Sequence, residues 1–137
     1  MRSILISLGY EGKVKSPSYS LFEQYYINDK TINHFDLYRF KSPEEWLSTG
    51  FNDYINVNDI TIIEWPEMAK NVLCDPDIEI EIVYDKEVSR RAIIKAKSKK
   101  GEAVCKDLVR DFIFYSFCFH LFHLIVFQQT KSKLHVF

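Results

Sequence analysis

The sequence predicts an α/β domain, and three observations carry the prediction. A run of period two, IEIEIVY at 78–84, faces RRAIIKAK at 90–97 across a short turn, the pattern of a β-hairpin. Ile60 to Ile63 is a β-branched run without charge, which suits a strand covered on both faces, as in a parallel sheet. Between strands, Ser42-Pro43-Glu44-Glu45 opens a helix that Gly50 closes. Strands mixed with short helices in this way build a layered α/β domain.

Each element follows in chain order. Ile4, Leu5 and Leu8 fall at helical spacing, and Gly9 is placed to end the helix. A helix this short is marginal alone and reads better as the tail of a longer one. SPSYSLFEQYYI, 16–27, changes to period two and is rich in aromatics, so it reads as a strand. Asn28-Asp29 makes a turn, and Thr31 to Phe35 returns as a second strand. In the helix after it, Ser42 serves as N-cap, Pro43 as first helical residue and Glu45 as capping-box acid. Trp65-Pro66 ends the strand at Ile60–Ile63, and the hairpin follows. From 107 the chain changes character. Seven of its 11 phenylalanines and three of its four histidines lie there, with no Gly or Pro.

Composition narrows the function classes. A chain of 137 residues is one domain with enough length for a real core. Its net charge of −1 gives no global field for nucleic acid or an anionic membrane, so any RNA contact is local or supplied by a partner. Cys74, Cys105 and Cys118 are widely spaced without a C-x-x-C, which suits reduced thiols in a cytosolic protein. The start, MRSILISLG, lacks the apolar stretch and cleavage site of a signal peptide.

Two acids stand out. INHFDLYRF runs a strand into Asp36, and ITIIEWPE runs another into Glu64. In open parallel sheets, ligands bind beyond the carboxyl ends of the strands. Asp36 and Glu64 both project there if their strands are parallel neighbours. Such a pair suits Mg²⁺, a hard ion that takes one or two carboxylates plus phosphate oxygens and waters. The same spacing also fits an Asp36 that caps a turn and a Glu64 at a solvated strand end. Ser18 follows the rigid Pro17 and can hold a hydroxyl near a phosphate or metal; a plain turn is the alternative. Trp65 can stack on a base or belong to the core.

The stretches VKSPSYSLFEQY, HFDLYRF, LSTGFNDYI and IIEWPE, in this order, resemble the TsaE (YjeE) family over about residues 1–104. HFDLYR together with EWPE is the specific part. The family comprises small bacterial P-loop ATPases that support threonylcarbamoylation of adenosine in tRNA. The resemblance implies a P-loop NTPase-like sheet with flanking helices, ATP and Mg²⁺ as cofactors, a cytoplasmic location, and TsaB and TsaD proteins as partners, with tRNA reached indirectly. It implies that Asp36 orients the attacking water, Glu64 helps hold Mg²⁺, Ser18 is the switch-like hydroxyl, and Trp65 lies beside the nucleotide. Arg90, with Arg91 as the spare, matches an arginine opening the final strand.

Two departures qualify the resemblance. None of Gly9, Gly12, Gly50 and Gly101 precedes a Lys-Ser or Lys-Thr pair, so G-x-x-x-x-G-K-[TS], which cradles phosphates, is absent. The chain reads as starting just after that cradle, without the central strand leading into it, which predicts an apolar sheet edge. The second departure is residues 105–137, an aromatic-rich tail expected to add little to the family fold. Its apolar run, Phe112 to Phe127, has 16 residues, short of the roughly 20 a spanning helix needs. Arg110, Lys131 and Lys133 flank both sides and give no orientation. A frameshifted or read-through gene end also explains the composition. His120 and His123 could bind metal but show no third ligand. Arg91, Lys95, Lys97 and Lys99 share a face, as a partner contact or a solvated edge strand would.

Three functions follow as expectations. The first is a TsaE-type ATP-binding subunit, inactive as this chain. The second is a non-catalytic remnant or module that docks on a TsaB–TsaD complex. The third is a small membrane-associated protein using its tail.

Overall fold

The computed structural model describes residues 1–17, 19–86, 89–116 and 132–137. Ser18, His120, His123 and most of the apolar run from Phe112 to Phe127 lie outside the described residues. The elements are α1 (Arg2–Ser7), β1 (Phe22–Ile27), β2 (Lys30–Asp36), α2 (Glu44–Ser48), β3 (Ile60–Glu64), β4 (Ile78–Lys86), β5 (Ser89–Ala96), α3 (Lys99–Ser116) and β6 (Ser132–Val136). The strands form one mixed sheet in the order β1-β2-β3-β6-β4-β5. The α/β class stands.

Local chemistry explains the first hairpin. Asn28 and Asp29 both take positive φ, 47° and 61°, the conformation that two-residue hairpin turns require and these residues tolerate. The strand expected over 16–27 begins only at Phe22. Before it, the Leu21 N–H closes a turn onto the Pro17 carbonyl and Leu21 itself is left-handed (φ 64°), so the strand cannot extend back through Leu21.

The start of α2 is also corrected. Pro43 occupies the N-cap position and the Ser42 side chain makes no capping bond. The other half of the expected box survives one step earlier: the Lys41 N–H donates to Glu45 Oε1 at 2.8 Å. Gly50 closes the element with φ 70°, a conformation that glycine adopts without steric cost.

β2 and β3 pair in parallel, with Asp36 beside Glu64. The two sheet faces carry separate cores. Leu5 of α1 joins Tyr25, Ile27, Ile32, Ile62 and Leu134 on one face. Phe35, Leu37, Phe40, Trp46, Ile63 and Ala69 fill the other, under α2 and the turns after it.

β6 corrects the expected edge. It pairs antiparallel with β3 (Ile62↔Val136, Ile63↔His135, Glu64↔Leu134) and antiparallel with β4 from Ile78↔Val136 to Ile82↔Ser132. The side of β3 away from β2 is therefore occupied, and the expectation that the tail adds little fails for these residues. The reason lies in the pattern: Leu134 and Val136, two residues apart, face the first core, where Leu134 is buried. β3 is thus covered on both faces as expected, but only one of its neighbours is parallel. α3 runs across residues 104 and 105 and begins against the sheet, where a Cβ on Gly101 would overlap the Asp77 carbonyl. Among the described residues no helix is long and apolar enough to cross a membrane.

Candidate metal and nucleotide site

The site is built at the carboxyl ends of β2 and β3. Alternation along β2 puts Ile32, His34 and Asp36 on the α1 face, and the register puts Glu64 on that same face. Asp36 is buried, and its Oδ1 accepts the Tyr38 N–H at 3.1 Å. This is the turn-capping role that the spacing also allowed, and it fixes the carboxylate where β2 ends. The Leu37 N–H donates to the Glu64 carbonyl at 3.1 Å, which locks the two strand ends together.

Glu64 is tied by a residue the sequence reading left without a role. His34 Nε2 lies 2.8 Å from Glu64 Oε1, with the imidazole almost wholly buried. The signal was available in the two-residue spacing of His34 and Asp36, which places both on one face. What it did not reveal is that Glu64 leans back one step along the neighbouring strand to meet the ring.

Burial acts to raise the Glu64 pKa, but the His34 hydrogen bond, the His34 charge and the Met1 amino group together outweigh it. The carboxyl therefore sits below its ordinary value of 4.5. Because the folded protein binds this proton less tightly than the unfolded chain, ionised Glu64 stabilises the fold. The contribution is complete above the unfolded value and is lost as pH falls through the folded one. Glu64→Gln is accordingly expected to flatten the acid limb of stability below about pH 4.5. Thermal unfolding across that range is the check, and an unchanged slope in the variant would refute it.

Trp65 is held in a left-handed conformation, φ 58° and ψ 46°, at a cost on the order of 1–3 kcal/mol for a bulky residue. Its N–H donates to the Lys133 carbonyl at 3.1 Å, and its ring tilts against Tyr38 with centroids 5.0 Å apart. The ring also packs on the second core cluster, which makes it a half-buried core residue next to Glu64 in the chain.

Arg90 is not brought to the pair. It lies at the far end of the β4–β5 hairpin, its guanidinium 3.4 Å above the Tyr84 ring. Glu64 is level with Leu134, Ile80 and Ile94 across the sheet, and Arg90 is four residues beyond Ile94 along β5. Strand spacings put it roughly 20 Å from Glu64. The separation has a topological cause: β6 and β4 both stand between β3 and β5. Arg91, the spare, is further engaged by Asp85. Ser18 lies outside the described residues, so its place relative to the pair is not part of the geometry.

The donor set fits Mg²⁺ held by one or two carboxylates, with its remaining ligands from water and substrate. Among the described residues no group of three or more His, Cys, Asp or Glu converges to hold a metal by itself. What these residues offer a triphosphate is contact through a cation. No Gly-rich loop ending in Gly-Lys-Ser or Gly-Lys-Thr occurs in the 137 residues, and two neighbouring acids repel polyphosphate.

Comparison with known proteins agrees with these motifs. The family model described as "Threonylcarbamoyl adenosine biosynthesis protein TsaE" matches residues 1–93. Curated relatives carry the name "tRNA threonylcarbamoyladenosine biosynthesis protein TsaE". The one from Haemophilus influenzae is 46% identical over 83 residues, 61% of this chain and 52% of the relative. That from Rickettsia felis is 35% identical over 96 residues, 70% of this chain and 56% of the relative. That from Bacillus subtilis is 24% identical over 103 residues, 75% of this chain and 64% of the relative. The chain thus spans about half the length of the first two relatives.

Proposed function

The chain belongs to the TsaE family, and from that premise we propose that it serves threonylcarbamoyladenosine biosynthesis in tRNA, as the acidic part of a Mg-nucleotide site. The observation that carries the reading is the pairing of Asp36 with Glu64 at the ends of adjacent parallel strands. In this reading Glu64 holds Mg²⁺ and Asp36 orients the attacking water. Trp65 flanks the nucleotide, and Ser18 supplies the switch-like hydroxyl. Residues 1–104 are the family portion and 105–137 the atypical tail. TsaB and TsaD proteins are the partners, tRNA is reached through them, and the location is cytoplasmic.

ATP is the nucleotide of this reading, and what these residues offer it is a metal and a positioned water. A phosphate cradle is not among them, so the 137-residue chain by itself is an inactive ATPase subunit. That same gap favours a second reading, a non-catalytic module that docks on a TsaB–TsaD complex.

The acidic pair is tested with the metal alone. Mn²⁺ added to the isotopically labelled chain is expected to broaden the amide resonances of Asp36, Leu37, Glu64 and Trp65 before others. Broadening centred elsewhere, on the acids of β4 for example, would remove the reading.

A further inference from the structure

We infer that His34 is a positioning residue for the acidic pair, holding the Glu64 carboxylate in one orientation at the end of β3 and so setting its affinity for a divalent cation. The inference rests on the reading of Asp36 and Glu64 as the pair that holds the cation.

Three features of the structure support it. The first is direct contact: His34 Nε2 stands 2.8 Å from Glu64 Oε1. An ionised carboxylate only accepts hydrogen bonds, so the proton between them belongs to the ring.

The second is rigidity. His34 is 2% exposed and sits inside β2, which is paired on one side to β1 and on the other to β3. Glu64 ends its strand, is partly exposed, and has a side chain with three rotatable torsions. Left alone it would sample several rotamers. A fixed donor one residue pair back along the sheet selects one of them.

The third is economy of contact. Among the described residues, Nδ1 of His34 has no hydrogen-bond partner. Buried polar atoms normally have at least one hydrogen-bond partner. Here the only polar partner among the described residues is the candidate metal carboxylate. Hydrogen-bond partners of metal-ligating side chains orient them, and their replacement lowers metal affinity by about 10–100-fold.

The experiment uses the full 137-residue chain and Mn²⁺ alone, with free ion counted by electron paramagnetic resonance. His34→Leu, which keeps bulk and removes the donor, is expected to weaken Mn²⁺ binding by about tenfold or more. His34→Gln, whose amide can still donate to Glu64, is expected to restore most of it, which a purely structural role would not produce. Glu64→Gln is expected to abolish the site. Should His34→Leu bind Mn²⁺ like the parent while Glu64→Gln does not, the inference on His34 is overturned and the acidic pair stands. Should Glu64→Gln bind like the parent, the pair itself falls and the inference with it.

A second measurement covers a His34→Leu chain that does not fold. The ring Nε2–H of His34 should give a protected, downfield proton resonance in the parent, and Glu64→Gln should move it. A ring resonance indifferent to Glu64→Gln overturns the inference without any His34 variant.

Discussion

Deleting residues 132–137 is expected to abolish the cooperative unfolding transition of the chain. β6 is the strand through which β1-β2-β3 and β4-β5 form one sheet, since β3 and β4 are not paired with each other. It contributes three register pairs to β3 and five to β4. Flanking bonds extend them: the Phe137 N–H donates to the Thr61 carbonyl at 2.9 Å, and the Asp77 N–H to the Val136 carbonyl at 2.8 Å. Each such bond is worth about 0.5–1.5 kcal/mol net, and more where its loss leaves a buried group unpaired.

Leu134 adds the burial of a core leucine, whose removal alone costs roughly 2–5 kcal/mol. Together these losses are comparable with the whole stability of a small domain, about 5–15 kcal/mol. The deletion also bares two strand edges beside apolar residues, which promotes association. Urea unfolding followed by circular dichroism, with light scattering in parallel, is the measurement. A deleted chain that unfolds cooperatively at the parent midpoint would show that β6 adds nothing to the sheet.

Mg-ATP is expected to bind this chain at least about a thousandfold more weakly than a site that includes a phosphate cradle. A cradle supplies several charge-assisted hydrogen bonds, each worth roughly 1.5–3 kcal/mol. Losing three of them removes at least about 4.5 kcal/mol, at about 1.4 kcal/mol for each tenfold. The acids beside Trp65 do not replace these contacts, because they engage polyphosphate only through a cation. Equilibrium dialysis with labelled ATP, alongside tryptophan fluorescence, tests this. Saturation at micromolar nucleotide, lost in Glu64→Ala, would show that the 137 residues hold a complete site.

Much of the site was legible because it depends on local pattern. A strand-forming run ending in an acid identifies a strand and its carboxyl end, so the sequence itself suggests pairing Asp36 with Glu64. The family motifs pointed to the same two residues. Alternation also found the β4–β5 hairpin, whose register runs from Ile78↔Ala96 to Tyr84↔Arg90 before a bulge near its tip. Where the reading failed, a short segment satisfied two patterns. Residues 16–21 alternate like a strand, yet Pro17 and the left-handed Leu21 turn the chain there. Ser42 has the composition of a cap, yet the helix starts one residue later.

What the sequence by itself determined is the α/β class, the strand ends that carry the acids, the turn at Asn28-Asp29, and the family. These are set by side-chain period, by φ preference and by short motifs, all of which act within a few residues. Only the tertiary structure decided which strand lies beside β3, that Glu64 reaches back to His34, and that Arg90 stands three strands away. Those outcomes depend on which distant segments share an edge or a face. Backbone hydrogen bonding along an edge is nearly indifferent to sequence, so an edge accepts any strand whose alternating apolar residues match the core. Leu134 and Val136 meet that condition, and their place between β3 and β4 sets the distance from Arg90 to the acidic pair.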